Sequence, residues 1–201
     1  MDADWKLEPW RGLGRLTFGL TPEEVAALAP VYGTPSKVLS HAYMAQATEE
    51  IIARPDSTLT PDLIAMLREN AADLANFATQ NLTGAGTILL DYRDLRLVGV
   101  SSETAHRSAH FEGQSVYDMP ARDVVALFER ANGGPGRYRS TEAAFDGLAV
   151  SLHAFCHTSR TDEFRFLGPA DEDFKERSVT LRKEPYRPPR EMDQFFTRSV
   201  L

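Results

Sequence analysis

The sequence holds a single cysteine, Cys156, among 201 residues. One thiol excludes an intrachain disulfide, and with it the cross-linked framework on which small secreted domains depend. Long apolar runs are missing as well. The longest, residues 87–90 and the stretch around 148–155, fall far short of the roughly 20 residues that a membrane-crossing helix needs. The opening Met1-Asp2-Ala3-Asp4-Trp5 carries acids where a secretory signal would place bases ahead of an apolar segment. From these absences a cytoplasmic location with no membrane partner is expected. Complete catalytic signatures are also absent: there is no Gly-x-Ser-x-Gly elbow and no phosphate loop. Gly12-Leu13-Gly14 is a fragment of a dinucleotide fingerprint, but Arg15-Leu16-Thr17 follows where a third glycine is required. A turn is the expected use of these glycines.

Positive charge is scarce. Twenty-two Lys and Arg face 29 Asp and Glu, giving a net charge of −7. From Arg177 onward six bases meet three acids, a local +3 that leaves −10 on residues 1–176. Such a body disfavours nucleic acid, whose phosphates require clustered Lys and Arg. It favours encounter with a basic protein and also serves solubility. With 42% hydrophobic and 25% charged residues, the chain can bury one substantial core.

Local signals order the chain. Residues 15–20 read as a short strand, after which Thr21, Pro22 and Glu24 form a capping box for a helix. Val25, Leu28 and Ala29 make its apolar stripe, and Tyr32-Gly33-Thr34-Pro35 ends it. Thr60-Pro61-Asp62 starts a second helix over about 61–79, with Leu63, Ile64, Leu67, Ala71, Leu74 and Ala78 at helical spacing. Residues 42–53 are expected to be helical too, separated from it by Arg54-Pro55-Asp56-Ser57. Strands at 87–92 and 95–101 flank Arg93-Asp94, the length of a tight hairpin loop. Further strands are expected at 109–117, 148–155 and 178–182. A helix at about 120–131 presents Val124, Leu127 and Phe128 and ends before Asn132-Gly133-Gly134-Pro135-Gly136.

The chain also echoes itself. Residues 18–28, Phe-Gly-Leu-Thr-Pro-Glu-Glu-Val-Ala-Ala-Leu, align without gaps on residues 117–127, Tyr-Asp-Met-Pro-Ala-Arg-Asp-Val-Val-Ala-Leu. The leading aromatic and the acid-Val-x-Ala-Leu ending recur. The expected fold is therefore one α+β domain of residues 1–201. Two degenerate strand-helix-strand-strand units, about 10–101 and 109–185, would form an antiparallel sheet packed by helices. Residues 41–80 would be a helical insertion and 186–201 a tail.

The run from Leu16 through Gly19-Leu20-Thr21-Pro22-Glu23-Glu24-Val25 to Tyr32-Gly33-Thr34-Pro35 resembles bacterial two-repeat proteins of the β-lactamase-inhibitor-like type. It is also similar to small immunity proteins encoded beside polymorphic toxins. The likeness covers residues 16–35, and a fainter one covers 116–134. No catalytic residue belongs to the pattern, and the inserted helices depart from it. The resemblance implies inhibition by occupying the active site of a cognate toxin, without catalysis or cofactor.

His106 and His110, like His153 and His157, are four apart. On a strand such residues share a face but stand about 13 Å apart, at ~3.3 Å per residue, too far to chelate one ion. No metal site is expected from them. Glu23-Glu24, Glu49-Glu50 and Asp171-Glu172-Asp173 are expected to be solvated, and Cys156, at the end of an apolar run, to be buried and inert. One stretch combines acids with aromatics. Asp162, Glu163, Asp171, Glu172, Asp173 and Glu176 outnumber Arg165 and Lys175, and Phe164, Phe166 and Phe174 are interleaved. Asp162, Glu163, Phe166, Asp171, Glu172, Asp173 and Phe174 are thus the candidate contacts to a basic partner. The alternative is a hairpin whose aromatics enter the core. The functional expectation is a protein-binding inhibitor, an immunity protein. The alternatives are a small enzyme using His106, His110, His153 and nearby carboxylates, and a secretion-system adaptor.

Overall fold

Alternation at period two places Ala78, Gln80 and Leu82, and then Ile88, Leu90 and Tyr92, on one side of consecutive strands, and all six are buried. The computed structural model, which describes residues 2–54, 58–159, 163–187 and 191–201, builds these strands into a ten-stranded antiparallel sheet. The chain opens with a small separate sheet of β1 (Leu7–Glu8), β2 (Gly12–Leu13) and β3 (Leu16–Thr17). Helices α1 (Pro22–Ala26) and α2 (Ala29–Tyr32) lead to short strands β4 (Thr34–Pro35) and β5 (Leu39–Ser40). Helices α3 (Ala42–Ile52) and α4 (Pro61–Ala75) follow, then the meander β6 (Phe77–Thr83), β7 (Thr87–Arg93) and β8 (Arg96–Glu103). The second half has a hairpin of β9 (His110–Phe111) and β10 (Gln114–Ser115), then α5 (Ala121–Asn132). Its strands are β11 (Gly136–Arg139), β12 (Glu142–Phe145), β13 (Val150–His153), the paired β14 (Cys156–Thr158) and β15 (Phe164–Phe166), β16 (Ser178–Arg182) and β17 (Phe196–Arg198).

The sheet order is β17-β11-β12-β13-β16-β8-β7-β6-β4, with β5 also on β6. Strands β4, β6, β7 and β8 enter from one edge in chain order. Strands β11, β12, β13 and β16 enter from the other, and the two sets meet at the antiparallel β8–β16 pair. This is the expected α+β architecture of an antiparallel sheet packed by helices.

Register divides the faces. Gln80, Leu90, Val100, Leu181, Val150 and Phe145 form one buried row across six strands. The neighbouring row, from Asn81 and Leu89 through Ser101, Thr180, Ser151 and Ala144 to Arg137, faces the other way. The inner face joins Val124, Val125, Leu127 and Phe128 of α5, Val25, Tyr32 and the N-terminal Leu7, Leu13 and Leu16 in one core. Phe128 stacks between Phe111 at 4.5 Å and Phe145 at 5.9 Å, which fixes α5 on the sheet.

Several expectations are corrected. The capping box of Thr21 and Glu24 is present, but the helix stops at Ala26 and restarts at Ala29 with Leu28 outside it. Pro30 is the reason, since inside a continuous helix it would forfeit a hydrogen bond and strike the carbonyl of Ala26. The helix expected over 61–79 ends at Ala75, because the strand beginning at Phe77 pairs residue for residue with β7. The hairpin loop is Asp94-Leu95 rather than Arg93-Asp94. Arg93 pairs with Arg96, and both loop residues have positive φ, 51° and 55°. Residues 109–117 form a hairpin about Glu112-Gly113 instead of one strand. The expected tail includes β17, which pairs with β11. Beyond it Ser199 Oγ and Val200 N donate to the buried Glu129 carboxylate at 2.5 and 2.8 Å. Among the described residues no helix is long and apolar enough to cross a membrane.

Leu127 is 2% exposed, so Leu127→Ala should cost about 2–5 kcal/mol in urea unfolding. Leu28 is only half-buried, and Leu28→Ala should cost less than about 2 kcal/mol. Equal losses at the two positions would contradict the broken helix. At the hairpin, Leu95 is exposed and left-handed. Leu95→Gly should raise stability by about 0.5–1 kcal/mol, since Asp-Gly suits a two-residue loop with both φ positive. A lower urea midpoint for that variant would refute the assigned loop.

Candidate functional site

The outer face of the sheet is half covered. Over β11, β12 and β13 lies the segment that follows β16. Arg137 donates to Asp146 at 2.7 and 3.2 Å and to the Tyr186 carbonyl at 2.8 Å, and Arg187 donates to Asp146 at 3.0 Å. The guanidinium groups of Arg137 and Arg139 each stand 4.8 Å from the Phe195 ring centre, and Arg139 also pairs with Glu191. Ala144 and Ser151, though on the outer row, are buried. Over β6 and β7 the outer residues Asn81, Leu89 and Arg93 are exposed instead.

Where the covered and open halves meet, a cleft of about 670 Å³ runs from Phe77 to Tyr186 and Arg187. Its floor is Asp91, Gly99 and Arg182, neighbours across β7, β8 and β16. Glycine in the middle makes room for the acid, because a Cβ at residue 99 would lie 2.8 Å from Asp91 Oδ2 and displace that side chain. Arg182 donates to Ser151 Oγ at 2.9 Å and stands 4.8 Å over the Tyr186 ring. On the opposite side, the His41 ring lies 5.4 Å from Phe77 and 6.5 Å from Tyr43, with Nε2 at 3.2 Å from Thr79 Oγ1. Leu39 and Tyr43, 56% and 57% exposed, extend this wall into solvent.

The charges on the floor are held against desolvation. Burial raises the Asp91 carboxyl above its ordinary value, opposed by the fields of Arg182 and His41. Burial likewise lowers Arg182, opposed by Glu142, Asp91 and Tyr186. Attraction between Asp91 and Arg182 would drive both shifts the other way, so desolvation wins at each. Among the described residues nothing donates a hydrogen bond to the Asp91 carboxylate, and the side chains of Arg93 and Lys183 on the rim have no partner. The lining carries five bases, Arg93, Arg96, Arg182, Lys183 and Arg187, against Asp91, Asp94 and Glu184. An excess of arginine between aromatic walls is chemistry for holding carboxylates and flat or apolar groups.

The acidic, aromatic stretch is divided between β15 and a 3₁₀ turn, Glu172–Glu176. Asp162 lies outside the described residues. Glu163 and Glu172 are exposed and Asp173 is half-buried. Asp171 is occupied internally, accepting from Gly168 N at 2.8 Å and Arg165 at 2.6 Å, which hold its carboxyl below the usual range. Phe166 packs against the core and edge-on to Phe164 at 5.0 Å, while Phe164 meets Tyr138 at 4.9 Å. The Phe174 ring centre is 3.8 Å from the Arg177 guanidinium.

The histidines have separate neighbours. His106 stacks on Trp5 at 4.9 Å and burial lowers its pKa. His110 Nδ1 lies 3.0 Å from the Ser108 carbonyl, and His153 Nδ1 lies 3.2 Å from Thr141 Oγ1. Among the described residues no three His, Cys, Asp or Glu are placed to hold a metal ion. Cys156 is buried, as expected, and burial pushes its thiol up to about 12. Of the adjacent acids, Glu24 belongs to the capping box and Glu49 pairs with Arg68 at 2.9 Å.

Asp91 gives the cleft a pH signature. Its folded pKa is raised, so the folded protein binds this proton more tightly than the unfolded chain does. The contribution favours folding below the ordinary value of 3.8 and is lost as pH rises through the raised one. Asp91→Asn removes that loss, so relative to the parent the variant should gain stability as urea unfolding is followed from about pH 4 upward. Parallel curves for variant and parent would place Asp91 in water.

No protein-family model, curated protein or solved structure matches the chain.

Proposed function

We propose that this protein is a protein-binding inhibitor, an immunity protein that neutralises a cognate toxin, and that it does so with the open half of the sheet's outer face. One observation carries the reading. Leu39, Tyr43 and Leu89 are large apolar side chains left in solvent beside a cleft walled by Phe77 and Tyr186 and floored by Arg182. Interface centres are enriched in aromatics and arginine, and clustered exposed apolar groups mark contact surfaces. A net charge of −7 steers a basic partner toward the molecule, and the arginine-rich cleft accepts a carboxylate from it. Glu163 and Glu172 remain exposed for contacts with such a partner, whereas Asp171 serves its own loop.

Two further features support this reading. The sheet order runs symmetrically inward from both edges to β8 and β16, and the echo of residues 18–28 in 117–127 falls before the strands of each half. Together they favour a duplicated unit of the two-repeat inhibitor type, in which two meanders supply one broad surface.

The test is to identify the reading frame beside this gene and, where it encodes a toxin domain, to co-express the two; a neighbour without one counts against the reading. Cells should survive, and the two proteins should co-elute. Tyr43→Ala, Leu89→Ala and Arg93→Glu alter exposed side chains and should each weaken the complex by at least about tenfold, or ~1.4 kcal/mol. Cells that die, with no complex formed, would overturn the inhibitor reading. A complex indifferent to all three changes would move the interface elsewhere.

A further inference from the structure

We infer that the pocket at the start of α5 is a binding site for a small organic anion, a single acidic head group on an apolar body. The pocket encloses about 430 Å³ and lies apart from the outer-face cleft. That size falls in the range of ~300–1,000 Å³ that small ligands occupy. Its wall includes Arg177, which is 6% exposed. Arg177 Nε donates to the Phe174 carbonyl at 3.1 Å and Nη2 to the Tyr117 carbonyl at 3.0 Å. The rings of Phe174 and Phe155 lie 3.8 and 5.4 Å from the guanidinium. Nη1 has no acceptor, and among the described residues no carboxylate pairs with this arginine. Asp118, on the same wall, favours its charge only through space; a buried guanidinium with no ion pair in contact and an idle donor is costly, and an incoming anion would relieve the cost.

The helix end supplies the second half of the site. Thr21 caps α1 and Thr60 caps α4 through their hydroxyl groups, but α5, twelve residues long, begins at Pro120 with no side-chain cap. Asp118 stands two residues earlier and is already engaged, accepting from Arg107 at 3.2 Å and from Ser115 Oγ at 3.0 Å. Ala121, the first residue of α5, lines the same pocket as Arg177, which sets the positive end of the helix dipole beside that arginine. Met119, Pro120, Leu167 and Phe174 complete the wall with apolar surface, which an inorganic ion alone would leave wet. Head group and body are thus both specified: an acid toward Ala121 and Arg177, and carbon toward Met119, Leu167 and Phe174.

The probe is 3-phenylpropionate, titrated into the full chain while backbone amide shifts are followed by NMR. Saturable shifts at Ala121, Arg122 and Gly168 are expected. The neutral analogue 3-phenylpropanamide should bind at least tenfold more weakly, and inorganic phosphate should shift Ala121 and Arg122 alone, also more weakly. Arg177→Met should cost the carboxylate at least tenfold in affinity. Should that variant not fold, the comparison of carboxylate with amide on the parent protein decides. Absence of saturable shifts, or equal affinity for acid and amide, would overturn the site. Phosphate binding as tightly as 3-phenylpropionate would overturn the apolar body.

Discussion

The pairing of β8 with β16 is the contact on which the rest of the molecule depends. Five residues of each strand are in register, from Glu103 opposite Ser178 to Gly99 opposite Arg182. Without it, two meanders would each keep an unpaired edge, a condition that favours aggregation. With it they share one sheet and one core. The register matters as much as the pairing, because side chains alternate between faces with period two. Sliding β16 by one residue would send Val179 and Leu181 into solvent and carry Arg182 inward. Ser101 and Thr180, whose hydroxyl groups meet at 2.8 Å on the outer face, would lose each other. The apolar core and the charged cleft are therefore two consequences of the same alignment.

The tail locks that arrangement from both sides. After β16 the chain crosses the outer face, where the two arginines Arg137 and Arg139 lie against Phe195. That crossing is fastened by Arg137 to the Tyr186 carbonyl and by Arg187 to Asp146; the chain then covers the free edge of β11 as β17 and meets the Glu129 carboxylate of α5, on the inner side. A carboxylate buried in a helix facing the core would be expensive alone. Here Ser199 and Val200 satisfy it, and in doing so fasten the tail. The covered half of the sheet becomes a wall, and the cleft forms where the cover ends.

Legibility in the sequence followed the range of the signal. The capping box at Thr21, helix α5 and strand β16 were readable because each is specified within a few residues. Pro30 was equally visible, but its effect on a stripe that included Leu28 needed the competition between proline and helix to be weighed. Strands β11 and β12, Gly136–Arg139 and Glu142–Phe145, are only four residues each, too short for alternation in β11 to stand out and without it in β12, and neighbours on both sides supply their hydrogen bonds. The α4–β6 boundary was hidden because Ala78 fits both a helical stripe and an alternating strand. Asp91, Gly99, Arg182 and Tyr186 carried no shared motif, since only strand pairing brings them together. The acidic stretch was conspicuous in composition, yet Asp171 and Phe166 turned inward to hydrogen bonds and packing that composition does not encode.

The arginines sort by whether the fold neutralises them. Arg137 has Asp146, Arg139 has Glu142 and Glu191, and Arg165 has Asp171, each where the chain closes on itself. Arg182 and Arg177 form no such ion pair among the described residues. At both, burial outweighs the neighbouring charges and lowers the affinity for the proton, whereas at Arg139 its partners prevail. One forms the floor of the cleft on the outer face and the other the wall of the pocket at α5. A fold with acids in excess by seven could have paired them. Buried arginine without an ion pair at these two concave surfaces is the arrangement that a negatively charged group from outside would complete.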